Sequence, residues 1–377
     1  MISRRALLAS ATALALSVAP PVLAQSGEPM RVVATFSILG DMIERIGGSH
    51  VSVTTLVGPD GDAHVYQPTP AAARAVSEAE ILVVNGLDFE GWLDRLIDAS
   101  DFDGTRVVAT EGIEPIAFEE GDDDHGDHAE HGHGDDHDDH AKADAHDHEA
   151  HAEAGHDDHD HDDHAHDEHG HDDHAHDDHA HDDEHADDDH GHDDDHAGHH
   201  HGAFDPHAWQ SLGSAVTYVD NITAALAQAD PANAGVFYQN RADYVAEIEA
   251  LEAEIREIVA GLPDERRTIV TSHDAFQYFG RDYGLTFLAP QGLSTESEAS
   301  AQDVARLIEQ MRENGISAVF VENITDPRLL EQIANETGAS IGGTLYPGAL
   351  SGPDGPAPTY LEMMRHNATT LAQALGT

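Results

Sequence analysis

Cysteine is absent from all 377 residues. That excludes disulfides, thiolate metal ligation and a lipid-modified amino-terminal cysteine. Basic residues are scarce too: 17 lysines and arginines face 74 acidic residues, for a formal charge of −57. That charge disfavours nucleic acid and anionic membrane surfaces as partners. Long apolar runs are missing after the first two dozen residues, where nothing approaches the ~18 residues needed to span a bilayer, so the mature chain is expected to be soluble. The one such run stands at the start. Arg4 and Arg5 precede an apolar stretch from Ala6 to Ala19, and Val22-Leu23-Ala24 offers a small-residue cleavage site, so residues 1–24 read as an export signal. Ser3-Arg4-Arg5-Ala6-Leu7-Leu8 also approaches a twin-arginine signal with Leu7 where Phe is usual, which leaves the general and twin-arginine routes both open. An exported, cysteine-free chain fits the periplasm of a Gram-negative bacterium.

What is abundant is histidine interleaved with aspartate. Residues 122–201 hold 27 of the 32 histidines and 33 of the 74 acidic residues, with Lys142 as the only base. The units are of the form His171-Asp172-Asp173-His174-Ala175. Imidazole is the donor that zinc, copper and nickel prefer at neutral pH, and the carboxylates add oxygen donors and a cation-attracting field. The segment has almost no large apolar side chains to offset the entropy of ordering it, so it is expected to be a disordered loop. Its many near-equivalent ligand sets imply several weak, exchangeable sites, with manganese, copper and nickel all open to it. A defined site is to be sought elsewhere.

About 270 residues remain, enough for two lobes of ordinary size. They alternate short β-branched runs with helical patterns, the mark of parallel α/β units. Strands are predicted at 31–36, 51–57, 81–84 and 106–109, and a second series at 268–271, 285–288, 318–321 and 340–345. A helix through Ile38, Met42, Ile43 and Ile46 follows the first strand. Between the series lies a long helical stretch from Pro231, placed in the first turn, to the stop at Gly261-Leu262-Pro263. Tyr244, Ile248, Leu251, Ile255, Ile258 and Val259 give it one apolar stripe, and at about 30 residues it would reach roughly 45 Å as a stiff strut along both lobes. The expected organisation is a signal at 1–24, a first α/β lobe at 25–230 carrying the 122–201 loop, a linking helix at 231–262 and a second α/β lobe at 263–377.

Five histidines lie outside the loop. His64 sits in a Gly/Pro-rich segment directly after a predicted strand, His207 in Phe204-Asp205-Pro206-His207-Ala208-Trp209 at the mouth of a helix starting near Ser211, and His273 ends the strand beginning at Thr268. Carboxyl ends of strands and helix starts are where open α/β sheets bind ligands. Each histidine taken alone reads as a hydrogen-bonded structural residue. His50 and His366 are expected to be structural or surface residues.

Those three segments, in that order, resemble the zinc-binding, ZnuA-like members of the cluster A-I family of ABC-transporter solute-binding proteins. Supporting segments are Gln291-Gly292-Leu293-Ser294-Thr295-Glu296, Val319-Phe320-Val321-Glu322-Asn323 and Gly352-Pro353-Asp354-Gly355. The resemblance covers essentially the whole mature chain, and members often carry a His-rich acidic loop at the same place. It implies two α/β lobes of parallel sheet flanked by helices, joined by a long rigid backbone helix, with Zn2+ held between them by His64, His207 and His273. It further implies a membrane permease with its ATPase as partners, a periplasmic zinc chaperone as a further one, and a monomeric chain. Manganese members usually have a carboxylate where this chain has His273, so three imidazoles favour zinc. In Tyr346-Pro347-Gly348-Ala349 the chain departs from its relatives, which commonly place an Asp ligand at the position of Gly348. Water, Asp62, Asp354 or a loop histidine would each serve as fourth ligand. Glu322 and Glu296 are further candidates for that position, though each reads rather as a structural hydrogen-bond acceptor.

Three histidines and an open position also build catalytic zinc, so an exported zinc hydrolase or hydratase is the rival reading. No HExxH helix, GxSxG elbow or assignable general base accompanies it. Periplasmic zinc storage without a permease is a third reading, in which the loop is the main functional element.

Overall fold

A computed structural model describes residues 28–118 and 203–376. The expected signal and the 122–201 loop lie outside the described residues. Strands form where β-branched residues cluster. In the first lobe these are β1 (Met30–Phe36), β2 (Val51–Val57), β3 (Ile81–Val84) and β4 (Thr105–Val108), and in the second β5 (Thr268–Val270), β6 (Thr286–Leu288), β7 (Ala318–Glu322) and β8 (Ser340–Leu345). All eight expected strands are present, with ends shifted by at most a residue. Each set makes one parallel sheet, in the orders β2-β1-β3-β4 and β6-β5-β7-β8. The same order twice gives each lobe one place where successive crossovers part company, between β1 and β3 and between β5 and β7. That is where doubly wound sheets open a crevice at their carboxyl ends.

The helices are α1 (Ser37–Gly47), α2 (Pro70–Ser77), α3 (Leu93–Ser100), α4 (Leu212–Ala229), α5 (Ala234–Ala260), α6 (Gln277–Tyr283), α7 (Ala301–Asn314), α8 (Arg328–Thr337) and α9 (Tyr360–Leu375). Local chemistry sets several starts. Thr69 Oγ1 caps α2 by accepting from Ala72 N, ahead of Pro70 at the first helical position, and Ser211 Oγ caps α4 through Ser214 N. Among the described residues no helix is long and apolar enough to cross a membrane.

The long helix α5 runs 27 residues, about 40 Å at 1.5 Å per residue. It begins three residues later than expected. Pro231 stands in a turn before it, because Asp230 accepts from both the backbone N and the side-chain Nδ2 of Asn233 and holds the intervening residues out of the helix. Its stripe of Tyr244, Ile248, Leu251, Ile255 and Val259 is buried, with Ile258 half-buried beside it. The helix packs on α1 and α4 of the first lobe and on α6 and α9 of the second. One apolar cluster runs through the first sheet, this helix and the inner face of the second sheet. A smaller cluster of Val270, Leu307, Ile308, Met311, Val319, Leu330, Ile333 and Ala334 fills the space between the outer face of the second sheet and α7 and α8.

The chain on either side of residues 119–202 is drawn together. Ala117 and Phe204 form an antiparallel bridge, Phe118 N donates to Ala203 O at 3.0 Å, and Asp205 N donates to Ile116 O at 2.8 Å. The pairing fixes the approach of Asp205 and His207 to the site.

Candidate metal centre

His64 lies in the loop between β2 and α2. Trp92 Nε1 donates to Ala63 O at 2.7 Å, and Asp62 Oδ1 accepts the backbone N–H of His64 at 2.9 Å. His207 stands just before a short 3-10 turn, Ala208–Gln210, that leads into α4. The turn is anchored on the second lobe: Trp209 Nε1 and Gln210 Nε2 donate to Pro347 O at 2.8 and 2.6 Å. His273 follows β5 at its carboxyl end, and Glu322 ends the neighbouring β7, so the pair straddles the crevice of the second sheet.

The three expected histidines come together. Each offers a ring nitrogen within 4.8 Å of the others, and the rings form a nearly equilateral triangle with centroids 5.3, 5.3 and 5.6 Å apart. His207 and His273 are fully buried, while His64 keeps partial exposure. Phe89 packs edge-on against His64, and Trp209 against His207.

Hydrogen bonds fix which nitrogens face inward. His273 Nδ1 lies 2.6 Å from Glu322 Oε2, whose other oxygen accepts the backbone N–H groups of Ser272 and His273 at 3.1 and 3.2 Å. His207 Nδ1 lies 2.8 Å from Asp205 Oδ1, which also accepts the His207 backbone N–H at 2.9 Å. An ionised carboxylate only accepts, so each Nδ1 carries a proton, and in the neutral ring, the form that binds metal, each Nε2 presents a lone pair. Among the described residues His273 Nε2 is buried with no partner, and the His207 and His64 Nε2 atoms are 3.2 Å apart. A buried acceptor without a donor, beside two nitrogens facing one another, is an arrangement that a cation satisfies.

Charge follows the same logic. Burial pushes the His64 and His207 imidazoles well below their ordinary value, helped by the neighbouring histidines, so both stay neutral and able to ligate. Burial also opposes protonation of His273, but the charge and hydrogen bond of Glu322, with Asp62 and Asp274 nearby, together outweigh it and hold that ring above its ordinary value. Burial raises Asp205 to about 7.

The remaining expectations separate cleanly. Among the described residues the metal-competent group contains the three histidines and no carboxylate. Asp62 spends both oxygens on hydrogen bonds, Asp354 is exposed, and Glu296 is exposed with its backbone N–H on Ser294 Oγ. Glu322 is the acceptor it was expected to be. A Cβ at Gly348 would lie 3.7 Å from Trp209, the ring that packs against His207. His50 packs on Phe237 and His366 bonds to Thr344 O at 3.0 Å, both apart from the triad. Sequence reasoning assigned no role to Asp205 or Phe89. The two-residue spacing in Asp205-Pro206-His207 was the available signal for the first, and nothing local marks the second.

Residues 32–374 match the family described as the zinc-uptake complex component A, periplasmic. The chain belongs to that family. Its members are ZnuA-like solute-binding proteins of metal ABC transporters and are not enzymes, which disposes of the hydrolase reading. Such proteins bind a metal ion as cargo outside the cytoplasmic membrane and work with a permease and an ATPase. The chain is 28% identical over 352 residues to the manganese-binding lipoprotein MntA of Halalkalibacterium halodurans, covering 93% of this chain and 90% of that one. It is 27% identical over 351 residues to the iron-binding protein YfeA of Yersinia pestis, covering 93% and 88%. In fold it is similar to the periplasmic zinc-binding protein TroA of Treponema pallidum, with a TM-score of 0.69 at 23% identity over 93% of this chain and all of that one.

Proposed function

We propose that this ZnuA-like chain captures Zn2+ at His64, His207 and His273, between its two lobes, and delivers it to a membrane permease for import. The observation that carries the reading is the convergence of three imidazole nitrogens, two of them oriented by buried carboxylates. Two zinc–nitrogen bonds of ~2.05 Å at a tetrahedral angle place their nitrogens about 3.3 Å apart, close to the 3.2 Å between His64 and His207. An all-nitrogen set suits zinc better than manganese, which prefers oxygen. The fourth position falls to water or to a donor outside the described residues. Release comes from small displacements that spoil the geometry, since α5, packed against helices of both lobes, resists wide hinge motion.

The His/Asp-rich segment 122–201 acts as a tethered set of weak sites that raises the local zinc concentration. The reading of residues 1–24 as an export signal supports a Gram-negative periplasm as the place of capture. The sequence holds no cysteine, the residue that carries the lipid of relatives such as MntA, named a lipoprotein.

The test is a competition between zinc and manganese on the full chain, followed by tryptophan fluorescence. The chain has two tryptophans, and both adjoin the triad: Trp209 against His207, and Trp92 on the carbonyl next to His64. One tight zinc site, lost in His64→Ala, His207→Ala and His273→Ala alike and not displaced by excess manganese, supports the reading. Preference for manganese would overturn the zinc assignment. Zinc retention that survives loss of the triad but not deletion of 122–201 would favour storage in the loop.

A further inference from the structure

Besides the bonds of Trp209 and Gln210 to Pro347 O, and that of Asp60 N to Leu350 O at 2.8 Å, two side-chain hydrogen bonds tie the segment before His64 to the second lobe. Asn323 Nδ2 donates to Asp60 Oδ1 at 3.0 Å, and Thr295 Oγ1 donates to Asp62 Oδ2 at 2.5 Å. The second carries more, because the other oxygen of Asp62 holds the backbone N–H of His64. One carboxylate thus ties a triad histidine of the first lobe to the β6–α7 loop, residues 289–300, of the second. The three histidines are not held alike. Buried carboxylates grip the rings of His207 and His273 directly, whereas Asp62 grips only the backbone of His64.

The same place is the solvent side of the site. His64 is the one triad member with surface exposure. A cleft of about 560 Å³ opens there, lined among others by Asp62, Ser272, Thr295, Thr325, Asp326 and Leu330, so its wall includes near neighbours of both His64 and His273. The Thr295–Asp62 bond joins two residues of that wall across the lobe boundary.

We propose that Asp62 is a positioning residue for metal release: through Thr295 it latches the His64 loop against the second lobe, and parting the latch withdraws His64 and opens the cleft. The inference rests on the triad being the metal site. Coupling a ligand to an interlobe bond converts a small displacement of the second lobe into loss of one donor in three, without moving the two rings that carboxylates hold. A permease that pulls on the 289–300 loop would thereby trigger release.

The experiment is stopped-flow release of zinc from the full chain into excess chelator, read by the fluorescence of Trp92 and Trp209, to which residues 122–201 contribute no tryptophan. Thr295→Val keeps the shape and removes the donor. It is expected to speed release about tenfold, the scale of a hydrogen bond to a charged group, while association changes less than twofold. Thr295→Ser restores the donor and should release within twofold of the native rate. Asp62→Ala, which frees the His64 backbone as well, should release about a hundredfold faster. Release from Thr295→Val at the native rate, or release from Thr295→Ser as fast as from Thr295→Val, would overturn the latch. His64→Ala separates the two readings: if it retains slow, tryptophan-reported release, the triad assignment itself is wrong. If it loses zinc while Thr295→Val releases normally, only the latch is wrong. The Thr295 variants decide the matter even where Asp62→Ala does not fold.

Discussion

The two lobes share one strand order and differ in how their sheets are buried. Both faces of the first sheet belong to the apolar cluster that continues through α5 and α9, so Val32, Ile43, Leu82 and Ile222 are parts of one body. The second sheet gives that body only its inner face, through residues such as Ile269, Phe287 and Phe320. Its outer face packs on α7 and α8 through a separate set of eight buried residues. The second lobe therefore has a layer that can loosen without opening the rest, and that layer borders β7, whose last residue is Glu322. A rigid first lobe and a partly independent second one suit a protein that must hold a metal tightly and also give it up.

The largest expected effect tests the separateness of that layer. Ile333→Ala removes most of a fully buried side chain from the small cluster and Ile222→Ala does so in the large one, each at a cost of about 3 kcal/mol. Hydrogen exchange should distinguish them. Ile333→Ala is expected to accelerate exchange mainly within residues 301–337, and Ile222→Ala throughout the described chain. Equal acceleration everywhere in both variants would show that the two clusters open together, and the contrast between the lobes would fail.

Next in size is the contrast between the carboxylates that orient one histidine from each lobe. Glu322 accepts three N–H groups and Asp205 two, both from the same residue. In Glu322→Gln the single carbonyl oxygen cannot serve both the backbone pair and the ring, and its amide N–H would confront the His273 Nδ1–H. Zinc affinity is expected to fall toward the upper end of the 10–100-fold range typical of such partners. Asp205→Asn can keep both bonds on its one carbonyl oxygen and should fall at the lower end. A titration giving Asp205→Asn the greater loss would reverse the assignment of the second lobe as the more exacting holder.

Much of this was legible in the sequence. The eight strands were, because most are short β-branched runs bounded by turn residues, and so was the buried stripe of α5. The helix start was misjudged, since Pro231 favours a first helical turn in general while Asp230 and Asn233 close a turn around it here. The triad could be named because each histidine sits at a strand end or helix mouth within a family-like segment. The roles of Asp205 and Asp62 could not. A carboxylate two residues before a histidine is common in loops, and only the fold reveals that one oxygen of Asp62 reaches Thr295, 233 residues away. Equal strand orders likewise give no hint that one sheet carries a separate outer core, because that depends on which faces α7 and α8 cover.

The smallest effect concerns the seam between the lobes. Asp41 on α1 accepts the backbone N–H of Tyr360 at 3.0 Å, at the start of α9, and burial raises its carboxyl to about 6 despite that bond and the nearby Arg45. A folded-state value above the unfolded one means that the group stabilises the fold when protonated. Its contribution is complete below about 3.8 and is lost as pH rises through about 6. The full shift corresponds to ~3 kcal/mol, and partial solvent exposure reduces this to ~1–2 kcal/mol. Asp41→Asn keeps an acceptor for Tyr360 and cannot ionise, so it should lose less stability than the native chain between pH 5 and pH 8. Urea unfolding at the two pH values measures the difference. Asp205 and Asp274 also titrate in this window, but they do so in both chains and cancel. Parallel pH dependences would mean that the α1–α9 seam tolerates the charge, and the two lobes would then be joined by apolar contact through α5 more than by this bond.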